Sequence, residues 1–338
     1  MPSPPCAEEV AALECNRERK HAGTHLRDTV PAAGGRGHNP RFMKKPFAVS
    51  PYLLLTLANL FWAGNWIVSR AFRGELPPVA LSFWRWVVAL LCLLPLALPH
   101  VRRDWPQLVA AWPRLLLFGA LGTGGYNMLV YGGLQHTTAI NGTLLNSFAP
   151  IMIVLMAWLA QGKRLHRREA AGILVSFAGV LCIVAHGDPQ RLRDLRLNIG
   201  DVWILASVLA WSAYTLLLSR RPAVHPLSFL TAISVTGLLF LLPFYLWEIA
   251  QGRHVIATPG SIAGILYTGI FPAFLGYILW NRAVAEVGPA RAGLFMHLVP
   301  AFGIVLSMIL LDERPAFYHA IGIGLVFGGI WLNTRRLP

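Results

Sequence analysis

Charge is scarce in this sequence. Asp, Glu, Lys and Arg make up 13% of its 338 residues, about half the share of an ordinary soluble chain. Acidic residues are scarcer still: 15 against 29 basic ones, for a formal net charge of +14. Cysteine is limited to Cys6, Cys15, Cys92 and Cys182, none in a CxxC pair. That spacing excludes a disulfide framework and a cysteine metal site. His21 and His25 have i, i+4 spacing but lie in a stretch of Gly, Pro and charge, so no metal and no cofactor is expected. No Walker loop, GxSxG or HExxH is present, and "GTGGYN" lacks the third glycine of a dinucleotide loop. The chain is therefore not read as an enzyme.

What fills the chain is apolar: 55% of residues, in long runs, with a mean hydropathy of +0.54. A run of about 20 apolar residues crosses a bilayer as a helix, so many such runs mean an integral membrane protein. The basic excess then reads as loop charge that sets orientation, and a nucleic-acid partner is not expected. The expected partners are a small-molecule substrate and membrane lipid, with a homodimer left open.

Residues 1–45 are polar and read as a disordered tail. "MKKPFAVSPYLLL" begins at Met43, so Met43 is a hypothetical native start, to be tested by N-terminal sequencing of native protein; peptides containing Pro2 or Cys6 would contradict it. Apolar runs follow near 52–70, 79–98, 114–134, 139–160 and 169–186. After a polar link come five more, near 202–219, 227–247, 261–281, 290–311 and 316–334. The division expected is 46–186 for a first repeat, 187–199 for the link and 200–338 for a second repeat.

A shift of 150 residues superposes landmarks of the two halves: Ser69-Arg70 on Ser219-Arg220, Gly119 on Gly269, Pro150 on Pro300, Arg164 on Arg314, Gly172 on Gly322 and Gly179 on Gly329. Trp62 and Trp211 miss by one position. Five helices per half, an odd number, insert the second half upside down. The expected fold is thus an all-α integral membrane protein of ten transmembrane helices in two inverted five-helix repeats. The charges agree: "GKRLHRREAAG" after the fourth run carries four basic residues, whereas its counterpart "DERPAFYHAIG" carries only Arg314. The positive-inside bias places the first loop, and both termini, in the cytoplasm.

Polar groups within the runs are the site candidates, because they are expensive in hydrocarbon and face protein or a water-filled path. They are Trp62 and Asn65; Arg85; Tyr126 and Asn127; Asn146; Trp211 and Tyr214; Tyr277; and His297. Asn127 and Asn146 read equally well as interhelical hydrogen-bond partners. Arg85, about two turns into its helix, either snorkels to the surface or faces the bundle, where it would meet carbonyls or a substrate carboxylate. Trp247, Trp331 and Trp280 read as interfacial anchors, and Gly324 and Gly328 as close-packing contacts between helices. Pro150 and Pro300 are candidate helix breaks. No Asp or Glu falls at mid-membrane, which favours facilitated movement or weak proton coupling and leaves His297 as the buried titrating group.

These features together resemble the EamA family of the drug/metabolite transporter superfamily, over about residues 50–335. The resemblance is carried by Trp62–Asn65 closing on Ser69-Arg70, "PPVALSFWRW" with Arg85, Pro150 followed by "GKRL" and a Gly-rich fifth helix, and the same pattern through Pro300, "DERP" and Gly322–Gly329. "DERP" departs from the family's Gly-Glu-Arg form. The resemblance implies ten helices, cytoplasmic termini, and export of amino acids or other small metabolites across a bacterial inner membrane. It places the path along helices one, three, four, six, eight and nine, favouring Trp62, Asn65, Tyr126, Asn146, Trp211, Tyr214, Tyr277 and His297. A multidrug or lipophilic-cation exporter of the same fold and a non-transporting membrane scaffold are the alternatives.

Overall fold

The computed structural model describes residues 49–137, 139–162, 166–188, 190, 198–311 and 316–334. The polar tail with Met43, Lys163 and Arg164 of the basic loop, residues 191–197 of the link, and "DERP" lie outside the described residues.

The first half holds α1 (Pro51–Ala71), α2 (Pro78–Ala110) and α3 (Trp112–Phe118), which runs through a π-helical stretch, Gly119–Gly125, into α4 (Tyr126–Gly133). Then come α5 (Ala139–Asn146), α6 (Ala149–Gln161) and α7 (Arg167–Val184). The second half holds α8 (Ile199–Leu217), α9 (Pro226–Ala250) and α10 (Pro259–Thr268), the last running through a π-helical stretch, Gly269–Leu275, into α11 (Gly276–Val287). It ends with α12 (Pro289–Leu294), a 3-10 turn at Phe295–His297, α13 (Leu298–Leu311) and α14 (Phe317–Thr334). No strand occurs among the described residues.

Local sequence explains the starts. Pro51, Pro78, Pro226, Pro259 and Pro289 each open a helix, where a missing N–H leaves no hydrogen bond unmade. The Asn198 side chain caps α8 by accepting from Gly200 and Asp201 N–H, and Thr258 caps α10 by accepting from Ser261 N–H. Seven spans among the described residues are long and apolar enough to cross a membrane. The stretches outside those seven are interrupted by polar residues: 112–133 carries Arg114 and Asn127, 167–184 opens on Arg167-Arg168-Glu169, and 317–334 carries His319 and Asn333.

The order of elements repeats at the spacing of the landmarks. The π-helical stretches begin at Gly119 and Gly269. The continuity of α5 and α6 is broken at Ser147–Phe148, and that of α12 and α13 at Phe295–His297, each just ahead of Pro150 or Pro300. A proline removes the hydrogen bond to the carbonyl four residues earlier, here Asn146 and Met296, so each break sits beside the carbonyl that its proline orphans.

Glycines set the closest helix contact. A Cβ on Gly179 would stand 2.6 Å from the Gly322 carbonyl oxygen, and one on Gly172 would stand 2.7 Å from that of Gly329. The pairing crosses over, so α7 and α14 run antiparallel with their backbones touching. Gly324 and Gly328, expected to make such contacts, have nothing within 4 Å of where a Cβ would stand; they lie on the other face of α14.

The second helix runs twelve residues beyond its expected end at residue 98, through Pro95, Pro99 and Pro106. It packs against α9, and each helix caps the other. Asp104, near the end of α2, accepts from the His225 N–H at the start of α9 (2.8 Å). Glu248, near the end of α9, accepts from the N–H groups of Val79 (3.2 Å) and Ala80 (2.7 Å) in the first turn of α2. Both carboxylates meet helix N-termini, where the helix dipole favours negative charge.

Candidate functional site

The breaks and π-helical stretches gather at the centre of the bundle around a narrow cavity. Trp62 and Asn65 come from α1, Arg85 from α2, Tyr126 and Asn127 from α4, Asn146 from the end of α5, Trp211 from α8 and Tyr277 from α11. Eight of the ten candidates from the sequence thus line one space. Trp66, Met296 and Val299 complete it. Its free volume is about 20 Å³, room for roughly one water, so the site as seen is closed and must widen to admit a solute.

Tyr214 and His297 stand behind this lining. The Tyr214 hydroxyl donates to Asn281 Oδ1 (2.8 Å), and its ring packs on Trp211. His297 is fully buried. Its Nε2–H donates to the Ser147 carbonyl (2.9 Å), since a carbonyl can only accept. Nδ1 then accepts from the Ser176 hydroxyl (2.6 Å). Ser147 and His297 are themselves 150 residues apart, as are the cavity-lining Asn146 and Met296 just before them.

Arg85 faces the bundle; it does not snorkel. It is 1% exposed, and Nη1 donates to Asn127 Oδ1 (2.8 Å), the Tyr131 hydroxyl (2.7 Å) and Asn65 Oδ1 (3.3 Å). Tyr131 in turn donates to Asn65 Oδ1 (2.9 Å). All three partners are neutral. Nε is buried with no acceptor. Asn127 is therefore both a structural partner and part of the lining. So is Asn146, whose Oδ1 accepts from the Tyr126 hydroxyl (3.2 Å).

The apolar wall is aromatic. Trp62 makes edge or tilted contacts with Trp211 (5.1 Å) and Trp280 (5.1 Å) and an edge contact with Tyr277 (6.2 Å). Trp280, expected at the interface, is fully buried, whereas Trp247 and Trp331 are exposed. The difference is one of face: Trp280 falls one turn from Tyr277 on α11 and shares its inward side. Two wall residues also hold carbonyls of the π-helical stretches. Trp62 Nε1–H donates to the Pro272 carbonyl (3.1 Å) and the Tyr277 hydroxyl donates to that of Gly122. Residues 122 and 272 are again 150 apart, and each bond joins one half of the chain to the other.

Sequence reasoning missed Met296 and Val299, because apolar residues in an apolar run carry no signal. Tyr131, whose hydroxyl accepts from Arg85, lies outside the candidate set. A wider crevice of about 550 Å³ lies between α1, α13 and α14, lined by Tyr52, Phe295, Leu298, Phe327 and Trp331 among others. Its threonine hydroxyls, Thr56 and Thr334, donate to carbonyls of their own helices, so beside the Tyr52 hydroxyl it offers a solute little polar recognition.

Known proteins share this architecture. The model of the EamA-like transporter family matches residues 49–185 and again 198–335. An uncharacterized transporter of Archaeoglobus fulgidus is 29% identical over 84% of this chain and 97% of its own. The uncharacterized transporter YetK of Bacillus subtilis is 26% identical over 84% and 87%. A probable terminal-alkyne amino-acid exporter of Streptantibioticus cattleyicolor is 27% identical over 83% and 92%. A solved crystal structure shares the fold with a TM-score of 0.69 at 19% identity, covering 84% of this chain and 96% of that one.

Proposed function

The chain belongs to the EamA-like transporter family, a multi-pass membrane protein, and from that premise we propose that it exports small metabolites such as amino acids by alternating access of the central cavity. The observation that carries this reading is the cavity itself. It lies where the two halves meet, it is lined by polar and aromatic side chains in an otherwise apolar bundle, and helix breaks and π-helical stretches surround it. Such interruptions are tolerated in a membrane where they line a path or are buried in protein. The name of the Streptantibioticus relative supports an amino-acid-like substrate.

We further propose ten crossings in two inverted repeats, 46–186 and 200–338, with both termini in the cytoplasm of a cell bounded by this inner membrane. Support comes from the contacts at the helix ends. Ten crossings put 104 with 225, and 169 with 291, on one side; Asp104 meets His225, and Glu169 lies 3.7 Å from Arg291. They put 75 with 258, 79 with 248 and 137 with 201 on the other; Glu75 bonds Thr258, Glu248 bonds Val79, and Asp201 bonds Thr137. Among the described residues the first side carries Arg102, Arg103, Arg114, Arg167, Arg168, Arg220, Arg221, Arg282 and Arg291, the second Arg70, Arg73 and Arg253. That bias favours the first side as the cytoplasmic one.

The test is efflux of a labelled amino-acid panel from proteoliposomes with and without a pH gradient. Flux of at least one solute that is insensitive to the gradient supports facilitated export. Strict dependence on the gradient contradicts the uncoupled mechanism, and absence of flux across the panel favours a non-transporting scaffold.

A further inference from the structure

The seven described carboxylates are all engaged away from the cavity. Glu75, Asp104, Asp201 and Glu248 bond helix ends, as above. Glu169 and Glu286 pair with Arg291 and Arg282, and Asp188 accepts from Gln190 N–H. Arg85 is thus a buried cation lining the central cavity with only neutral oxygens and the face of the Trp86 ring (5.9 Å) around it, and its Nε has no acceptor. A guanidinium cannot shed its proton in a protein, so the charge stays. Among the described lining residues no other charge exists. The closed cavity carries one positive charge in a low-dielectric bundle, where an unbalanced charge is most unfavourable.

We propose that the cavity is built for small organic monoanions with an apolar or aromatic body, whose single anionic group completes the charge on Arg85, and that the membrane potential drives their movement. This rests on the transport reading above and narrows it. A monoanion makes the occluded complex neutral. A zwitterion leaves it at one positive charge, and a cation raises it to two. The rank order follows: monoanion, then zwitterion, then cation. The same arithmetic names the energy source. Arg85 stays with the protein, so each cycle moves only the solute's charge, and a cell interior held negative expels an anion without any coupling ion. At about 100 mV the potential supports an accumulation ratio of about fifty-fold for one charge. A carboxylate at mid-membrane for proton or sodium coupling is then unnecessary.

The experiment uses three solutes that share one aromatic body: N-acetylphenylalanine, phenylalanine and, at pH 6, phenylalaninamide. Labelled efflux from proteoliposomes of the full-length chain is measured with the potential clamped by potassium and valinomycin. N-acetylphenylalanine is expected to leave fastest, several-fold faster with the lumen negative than at zero potential and slower with the sign reversed. Phenylalanine flux should not respond to the potential. Arg85→Gln should abolish the preference for the anion, and Arg85→Lys, which keeps the charge, should retain it if the Gln variant does not fold. Flux of phenylalanine or phenylalaninamide that exceeds that of N-acetylphenylalanine overturns the inference and leaves transport standing. So does anion flux that ignores the potential. No flux, together with no quenching of tryptophan fluorescence by any of the three, counts against both.

Discussion

His297 Nε2 donates to the carbonyl of Ser147 at 2.9 Å, and the two residues are separated by the repeat spacing of 150. Equivalent positions of two repeats touch only near the axis that relates them. The bond therefore pins the two helix breaks together immediately behind Asn146 and Met296 of the cavity wall. Replacing His297 with Leu should destabilise the protein by about 1–3 kcal/mol, because the Ser147 carbonyl is left buried without a donor. His297→Gln, whose amide can both donate and accept, should recover much of that. Thermal unfolding in detergent measures both; a Leu variant as stable as the parent would show that the bond does not hold the breaks together.

The antiparallel contact of α7 and α14 makes a sharper steric prediction. Gly179→Ala places a methyl 2.6 Å from the Gly322 carbonyl oxygen, so the helices must part. A loss of about 1–3 kcal/mol is expected, the usual range for overpacking. Gly324→Ala and Gly328→Ala, with open space around them, should be neutral or stabilising through helix propensity. Equal melting temperatures for Gly179→Ala and Gly324→Ala would contradict the packing.

Trp62→Phe and Tyr277→Phe each remove one donor from a π-helical carbonyl, of Pro272 and Gly122 respectively, while retaining an aromatic wall. Each should change the rate of opening and closing, read as a several-fold change in initial efflux rate at unchanged expression. Both variants running at the parental rate would show that these inter-repeat bonds do not gate the cavity.

One pH effect follows from the far end of α2. His225 stacks on His100 at 3.6 Å. Burial holds the His225 imidazole below its ordinary range, His100 adds to the effect, and Asp104 opposes it. A histidine whose folded pKa is depressed favours the unfolded chain once protons bind there. Its contribution is therefore fully present above about 6.5, the ordinary histidine value, and is lost as pH falls below it. Unfolding temperatures should decline through that window, and less so in His100→Gln. A decline as steep in the variant as in the parent would place its origin elsewhere.

Much of this was legible in the sequence because the repeat wrote it twice. Gly172 and Gly179 matched Gly322 and Gly329 at one offset, and the structure brings the same four glycines together, crossed over as Gly172 with Gly329 and Gly179 with Gly322. Arg85 and the asparagines were visible as polar residues in apolar surroundings, and the cavity collects them. What the sequence did not display was geometry within a helix. The π-helical stretches ahead of Tyr126 and Tyr277 carry no signal in composition, and Trp280 looked like an anchor because nearness to a helix end does not tell which face a residue takes. Gly324 and Gly328 show the converse: a small residue permits close packing, but only the helix rotation decides whether a partner arrives.

Everything functional rests on the cavity between the two halves being a path open in turn to each side. The direct test is two-sided labelling of Met296→Cys in a background with Cys6, Cys15, Cys92 and Cys182 replaced. Membrane-impermeant thiol reagents are applied from inside and from outside to oriented vesicles. Modification is expected from both sides, with both reactions slowed by a transported solute. Modification from one side only, or from neither while the protein remains folded, would contradict alternating access.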